Sequence, residues 1–530
     1  RTPLHSAPWH PAVKWALGLL VLSFFFSTLH ALFPWQSIDD NAFITYLSQF
    51  NALRISKGLV WALLFAGLVR RLTTAEKSVF QWFTWGMTLG LAAVVAIMVR
   101  EKLMFGGLLN FSSNYRATGP FSAIHTGGAY VECYLAVATP FLLYLIISTH
   151  QWLLRVAGVI LLLASTYALM ATVSRNGFAG YGIACGLALL TLLAGHSKKI
   201  KRLVPITLLA GAALAVAVPL FEGSFVQKRM SQVSTDLGVR QAHWQDGLSI
   251  RDNGWLTEIF GMGIGRFPDA HFWRSRETFH PSVHALSAEA DNRFLRIAPG
   301  YAMYIEQIVS VEPHQRYRLR FNVRSASPGA TIGLALCEKW MLASSRCATW
   351  QKSQRIAQAN QWQTVEQTIN TGELGSGRWI SQRPVKLSFF NNGMLVDVDN
   401  IQLTTPDGNE LIANGDFSRR MDHWYFSTDE HLAWHIKSMP LAILFDQGWL
   451  GVLAFSLFFA TTIYLASRAA WQGNHAAGIA LAATTGFLIV GLFDTLIDAP
   501  RFLFLLITLA LISTLNPKAY NRQQASAKLI

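Results

Sequence analysis

Three basic residues in this chain sit where a charged side chain can do chemistry. Arg175 lies in Thr172-Val173-Ser174-Arg175-Asn176-Gly177, where two apolar runs meet. Arg240 opens Arg240-Gln241-Ala242-His243-Trp244, and His435 stands just before a long apolar stretch. An ionisable group at membrane depth is costly and tends to be functional, the bland alternative being an arginine that snorkels to lipid phosphates. Arginine grips phosphate oxygens through paired N–H donors. Breaking a bond to phosphate develops charge on the phosphate that leaves, which such donors stabilise. An attacking hydroxyl must lose a proton, and a histidine can take it near neutral pH. Arg175 and Arg240 are thus the candidate phosphate clamp and His435 the candidate base.

Further residues support this set. Arg116, in Asn114-Tyr115-Arg116-Ala117-Thr118-Gly119-Pro120-Phe121, and Arg266, in Gly261-Met262-Gly263-Ile264-Gly265-Arg266-Phe267, are candidate substrate-binding arginines. Trp244 joins them, because its spacing from Arg240 puts both on one face of a helix. The glycine run follows no βα strand, so a dinucleotide loop is rejected. Asp494 and Asp498 are a reserve candidate for the base and are expected to pair with Arg501 or another arginine. No metal-ligand cluster stands out, and no cofactor is expected.

These residues must be positioned by a membrane scaffold. Of 530 residues, 52% are hydrophobic and only 14% charged, too apolar for an ordinary soluble enzyme. A net charge of +14 raises the question of nucleic acid, but no basic stripe with interleaved aromatics is present and the densest cluster, at 196–202, lies between apolar spans. No nucleic-acid partner is expected. About ten spans are expected, near 12–34, 50–69, 79–99, 128–148, 152–172, 177–195, 203–221, 440–467, 476–494 and 501–516. Arg1 is not an initiator methionine and no signal-peptide pattern follows it, so further residues are expected upstream and the count is a minimum. With a cytoplasmic N-terminus, the cytoplasmic loops carry Arg70, Arg71 and Lys77, then Arg155, the 196–202 cluster, Arg468, and Lys518, Arg522 and Lys528. That is the positive-inside pattern. The candidate site residues all fall on the other side, read as periplasmic, with the protein in a bacterial inner membrane.

The expected organisation is N-terminal transmembrane helices over 1–221, a periplasmic helical segment over 222–284, a β insert over 285–430 and C-terminal transmembrane helices over 431–530. In the insert, runs such as Tyr317-Arg318-Leu319-Arg320-Phe321-Asn322-Val323 alternate apolar and polar residues between Pro-Gly, Asn-Gly and Asp-Gly turns, which predicts an all-β sandwich. Cys337 and Cys347 are close enough to close a short loop and, in a periplasmic domain, to form a disulfide. The phrases Gln307-Ile308-Val309-Ser310-Val311-Glu312-Pro313, Val398-Asp399-Asn400-Ile401 and Asn414-Gly415-Asp416-Phe417 with Trp424 resemble jelly-roll carbohydrate-binding modules of secreted glycanases. Trp340, Trp350, Trp362 and Trp379 can stack on sugars or serve as core, and the sandwich can equally be a spacer.

The ordered set of the Arg116 loop, Ser174-Arg175 at a span end, Arg240 with Trp244, the Gly261–Phe267 run and His435 followed by Gly448 and Gly451 resembles the O-antigen ligase and polymerase superfamily of integral-membrane glycosyltransferases. The resemblance spans about 110–470. It implies metal-free transfer of a glycan from undecaprenyl diphosphate to a glycan or lipid acceptor at the periplasmic face. The superfamily usually has asparagine after the histidine, where this chain has Ile436, and the insert separates Arg240 from His435 by more chain than is typical. Both departures bear on the acceptor, which can be lipid A core, growing polysaccharide or a protein hydroxyl. A lipid-linked glycan transporter is the competing class, but its charges are expected along a midplane cavity rather than at one interface. A membrane-anchored sensor or adhesin would not need so many spans.

Overall fold

The computed structural model describes residues 9–75, 79–113, 115–121, 129–194, 227–228, 231, 233–277, 280–377, 379–391, 393–429 and 431–514. The span expected at 203–221, the 196–202 cluster, His125, Lys77, Lys518, Arg522 and Lys528 lie outside the described residues.

Among the described residues six helices come first: α1 (Pro11–Leu32), α2 (Asn51–Ala75), α3 (Val79–Phe105), α4 (Tyr130–Ser148), α5 (Trp152–Thr172) and α6 (Arg175–Ala194). The next described helices are α7 (Val233–Ser249), α8 (Trp255–Phe260) and α9 (Phe267–Arg274). After ten strands come α10 (Met439–Trp471), α11 (His475–Gly491) and α12 (Pro500–Ser513). Among the described residues seven stretches are long and apolar enough to cross a bilayer: α1, Asn51–Val69 of α2, α3, α4, α5, Arg175–Leu193 of α6, and Leu432–Trp471. Of the about ten expected, the span at 203–221 lies outside the described residues and the last two are not among these seven. The apolar helices α11 and α12 have only 17 and 14 residues, below the roughly 20 that a bilayer core requires. The chain between them leaves the helix for a turn at Leu496–Asp498, which brings Asp494 and Asp498 to the site described below. α4 is apolar and buried on nearly every side, packed among α3, α5, α6 and α11, as expected for a central bundle helix.

The sandwich consists of two five-stranded antiparallel sheets. One is ordered β1 (His284–Glu289), β2 (Asn292–Ile297), β9 (Val396–Thr404), β4 (Arg316–Arg324), β7 (Gln363–Asn370). The other is ordered β10 (Tyr425–Thr428), β3 (Met303–Val309), β8 (Val385–Asn391), β5 (Thr331–Trp340), β6 (Ala343–Arg355). Strand period dictates the core: Tyr317, Leu319, Phe321 and Val323 point inward while Arg316, Arg318 and Arg320 face out. Phe321 meets Phe389 of the facing sheet edge to face, centroids 5.1 Å apart. Burying each such ring contributes about 1.5–3 kcal/mol. Cys337 and Cys347 oppose each other on β5 and β6 and form a disulfide.

The sandwich sits on one end of the bundle. The Asn41 side chain pairs with β1, donating to the Leu286 carbonyl at 3.0 Å and accepting from its N–H at 2.7 Å. Asp40 takes Arg293 at 2.7 Å and Arg420 at 2.8 Å. The guanidinium of Arg383 reaches the Met104 carbonyl at 2.6 Å, and the indole of Trp340 donates to Thr118 at 3.1 Å. The α1–α2 and α3–α4 loops therefore share the sandwich's side.

Candidate active site

The site grows from the irregular segment that returns the chain from β10 to α10. A short 3-10 turn, Leu432–Trp434, ends at an extended His435, and Lys437 adopts a left-handed conformation with φ 59°. A non-glycine residue held there is strained, and its surroundings must hold it. α7 does so. Arg240 donates through Nη1 to the carbonyl of Lys437 at 3.4 Å and to that of Phe493, and the His243 Nε2 lies 3.0 Å from the His435 carbonyl. Both contacts come from one helical face, since the two residues are three apart.

His435 is paired through Nδ1 with the Asp498 carboxylate, which also accepts from the Tyr130 hydroxyl at 3.0 Å. Lys437, almost fully buried, lies 3.5 Å from Asp494. The expected pairing of these aspartates with arginine is thus corrected: Asp498 serves the histidine and Asp494 the lysine. Arg501 instead lies over the Phe121 ring, 5.2 Å from its centroid. The physical reason is reach, because the Leu496–Asp498 turn aims both carboxylates at the 435–437 segment.

The other predicted residues fall in two groups. Arg175, at the start of α6 after Val173 turns the chain with φ 50°, pairs with Asp236 of α7 at 2.6 Å, one turn before Arg240. Arg116 donates to the Thr172 carbonyl at 2.8 Å and lies 3.7 Å from Glu132. Arg116, Arg175, Arg240 and His435 are therefore linked through the 172–175 turn and α7. Arg266 pairs locally with Asp269 at 2.9 Å, and burial keeps that Asp269 carboxyl above its usual range despite the arginine. Trp244 packs beside Ile436, Phe267 and Phe445. Sequence reasoning missed His431, four residues before His435. Burial holds its ring well below the usual histidine range, and the neighbouring cations Lys437, Arg240 and Arg116 act in the same direction.

A cavity of about 700 Å³ opens beside His435 and Asp498. One wall is a single face of α2, on which Asn51, Arg54, Ile55, Gly58, Trp61 and Phe65 follow one another. From Asn51 to Phe65 that wall is about 21 Å long at 1.5 Å per residue. Towards its start the wall carries Arg54 and Lys57, and further along Trp61 and Phe65, whose ring lies 5.5 Å from that of Phe504; Arg501 also lines the cavity. Arg54 donates to Asn51 at 2.7 Å and lies over the Tyr46 ring at 4.5 Å. Of the predicted catalytic residues only His435 lines this cavity; Arg175 and Arg240 do not. Basic residues at α2 positions 54 and 57, inside an otherwise apolar span, were the available signal.

The glycine run forms part of the wall for a structural reason. α10 is broken at Gly448, φ 62°, and the Met262 and Gly263 N–H groups donate to the carbonyls of Phe445 at 2.7 Å and Asp446 at 3.0 Å just before the break. Gly261, φ 77°, runs so close that a Cβ there would lie 2.3 Å from the Asp446 carbonyl carbon.

Among the described residues one cluster has the donors for a metal: His243, His271 and Glu277, with their ligand atoms within 4.8 Å of one another. Here the Glu277 carboxylate bridges the two rings at 2.8 and 3.1 Å. Burial opposes its charge, but the hydrogen bonds of His243 and His271 outweigh that and hold the carboxyl at about 2.

The O-Antigen ligase family matches residues 157–299. That stretch contains Arg175, Arg240, Trp244 and Arg266 but not His435, and it is narrower than the resemblance read from the sequence. No curated protein matches the chain. A solved structure described as PbXyn10C CBM APO is similar at 19% identity, covering 26% of this chain and 85% of its own, with a TM-score of 0.19. The family match and the seven apolar stretches support a multi-pass membrane protein of the glycan-transferring kind.

Proposed function

We propose that this chain is a metal-independent membrane glycosyltransferase that moves a glycan from undecaprenyl diphosphate to an acceptor at the periplasmic face, as a polysaccharide polymerase or O-antigen ligase. The observation that carries this reading is the amphipathic cavity beside the His435–Asp498 pair, cationic at one end and aromatic at the other. Such a cavity suits an isoprenoid diphosphate: the tail lies along Trp61, Phe65 and Phe504, and the diphosphate meets Arg54, Lys57 and Arg501. The acceptor oxygen attacks the anomeric carbon, the bond from that carbon to the phosphate oxygen breaks, the proton passes to Nε2 of His435, and the lipid diphosphate leaves with its charge held by the cations. Asp498 orients the imidazole and stabilises its protonated form. Arg240, whose guanidinium is engaged by the backbone on either side of the site, fixes the His435 segment, and Arg175 supports α7 through Asp236.

In this reading the chain divides as 1–221 and 431–530 in the inner membrane, with 222–284 and 285–430 periplasmic. A reporter fused near Gly375 is expected to be active only as a periplasmic enzyme. The decisive experiment is transfer by purified protein in lipid discs supplied with lipid-linked glycan. Release of lipid diphosphate with glycan joined to an acceptor is expected; movement of the intact lipid-linked glycan across a bilayer, without cleavage, would mean a transporter. Analysis of glycan from a deletion strain separates polymerase from ligase, by lost chain length or by lost attachment of normal chains.

A further inference from the structure

The sheet β10-β3-β8-β5-β6 has an outward face that is not built like a solvated surface. Glu306 stands at its centre, fully buried, held by the ammonium of Lys339, by that of Lys386 at 3.3 Å, and by the hydroxyls of Ser388 at 2.9 Å and Ser427 at 3.1 Å. Burying charge is expensive unless each group is paired, so this network is a fixed feature of the face. It lines a second cavity of about 420 Å³, within the roughly 300–1,000 Å³ range of small-molecule pockets. Trp340, Tyr425, Phe426 and Tyr46 supply aromatic surface to the same space, with Lys386 and Ser427 between them. The Tyr425 hydroxyl is buried and meets no hydrogen-bond partner among the described residues. Ring faces interleaved with fixed hydrogen-bonding groups are what a saccharide requires, since a pyranose presents C–H faces and equatorial hydroxyls together.

Position gives this pocket its meaning. Tyr46, on the loop before α2, borders both this cavity and the one containing His435. Trp434, next to His435, packs against Tyr46 and Phe426 with centroid distances of 6.1 and 5.8 Å. We propose that the pocket is an oligosaccharide subsite of the transferase, one that holds the glycan chain next to the reacting end. This rests on the transferase reading and assigns it a processive, chain-retaining character. Glu306 is one anion among two lysines, which favours glycans carrying a carboxylate over neutral ones.

The test uses the full-length protein in lipid discs and oligosaccharides released by mild acid from the host's own surface polysaccharide, followed by tryptophan fluorescence. Binding is expected in the wild type, without lipid donor. Tyr425→Phe keeps the ring and the packing but removes the orphan hydroxyl, and should weaken binding by about three- to ten-fold, the scale of one hydrogen bond. Ile308→Trp, at a position that borders the pocket and is more than half exposed, should fold normally and block it. Met394→Ala, at an exposed side chain that is not among the pocket's residues, should bind as wild type. In transfer assays the Tyr425→Phe and Ile308→Trp variants should still cleave donor, with shorter products. Wild-type binding that both variants leave intact, or no binding at all, overturns the proposal even if transfer is robust. Loss of donor cleavage in the wild type would instead overturn the transferase reading, whatever the glycan binding.

Discussion

Replacing Asp498 by Asn keeps the volume of the side chain and removes its charge, which isolates what the carboxylate does for His435. In the structure one carboxylate oxygen accepts from Tyr130 at 3.0 Å and the other from Nδ1 of His435. An asparagine has one carbonyl and one amide nitrogen for these two positions. With its nitrogen toward His435 it selects the tautomer that carries the proton on Nε2, and the base can no longer accept one. With its oxygen toward His435 the tautomer survives, but a charge-assisted hydrogen bond of about 1.5–3 kcal/mol becomes a neutral one of about 0.5–1.5 kcal/mol. The second case sets the minimum, a loss of about 1–1.5 kcal/mol or roughly ten-fold in kcat. The first sets the maximum, the whole contribution of general-base catalysis, about 10²–10⁴-fold. The assay is multiple-turnover transfer from lipid-linked glycan, with donor affinity measured separately by equilibrium binding. Donor affinity is expected to stay near wild type, because a base acts in the transition state rather than in the ground-state complex. Because the two residues act as one unit, the His435→Ala, Asp498→Asn double variant should be no slower than His435→Ala alone. Near wild-type kcat for Asp498→Asn, or fully additive losses in the double variant, would refute the pairing as the working base.

Three further outcomes follow from other parts of the structure. Burial holds the His284 ring at about 4 against an ordinary 6.5, so the folded state keeps it neutral while the unfolded chain takes up a proton below pH 6.5. Stability is therefore complete above about 6.5 and falls as the pH drops toward 4, by up to about 3 kcal/mol. Thermal melts of wild type and His284→Phe between pH 7 and 4 should converge on the variant's flatter profile only if this ring is responsible. Gly261→Ala combines a positive φ with a Cβ placed 2.3 Å from the Asp446 backbone, and should cost about 2–5 kcal/mol, read as lost yield and a lowered Tm in detergent. Arg240→Lys and Arg175→Lys keep the charge but lose the planar fork, and transfer should fall by about ten-fold in each. For a positioning role the loss appears in kcat, whereas a loss concentrated in donor affinity would return both arginines to direct contact with the diphosphate.

Much of the architecture is a matter of local pattern, and the sequence by itself determined it. Apolar runs of bilayer length made the helices, and period-two alternation assigned the inward residues of β4. Two cysteines ten positions apart found each other across one hairpin. The junction at Arg175 was equally legible: the polar Ser-Arg-Asn-Gly between two apolar runs marked a break, which the chain makes at Val173–Ser174, with Arg175, Asn176 and Gly177 opening α6. What tertiary structure decided involves partners far apart in the chain. Asp498 could be assigned to His435 rather than to an arginine only once the Leu496–Asp498 turn was placed against the segment that follows β10. The α2 face that carries Arg54 and Lys57 looked like part of a span until α9, α12 and the 434–436 segment closed around it as a cavity. The period-two rule also failed where a second surface intervened: every residue of β8 is buried, Lys386 and Ser388 included, because its outward face carries the charged network that lines a cavity. Periodicity reports which way a side chain points. What it meets there depends on chain packed against it from elsewhere, and for charged groups that distant partner sets both the energetic cost and the chemistry.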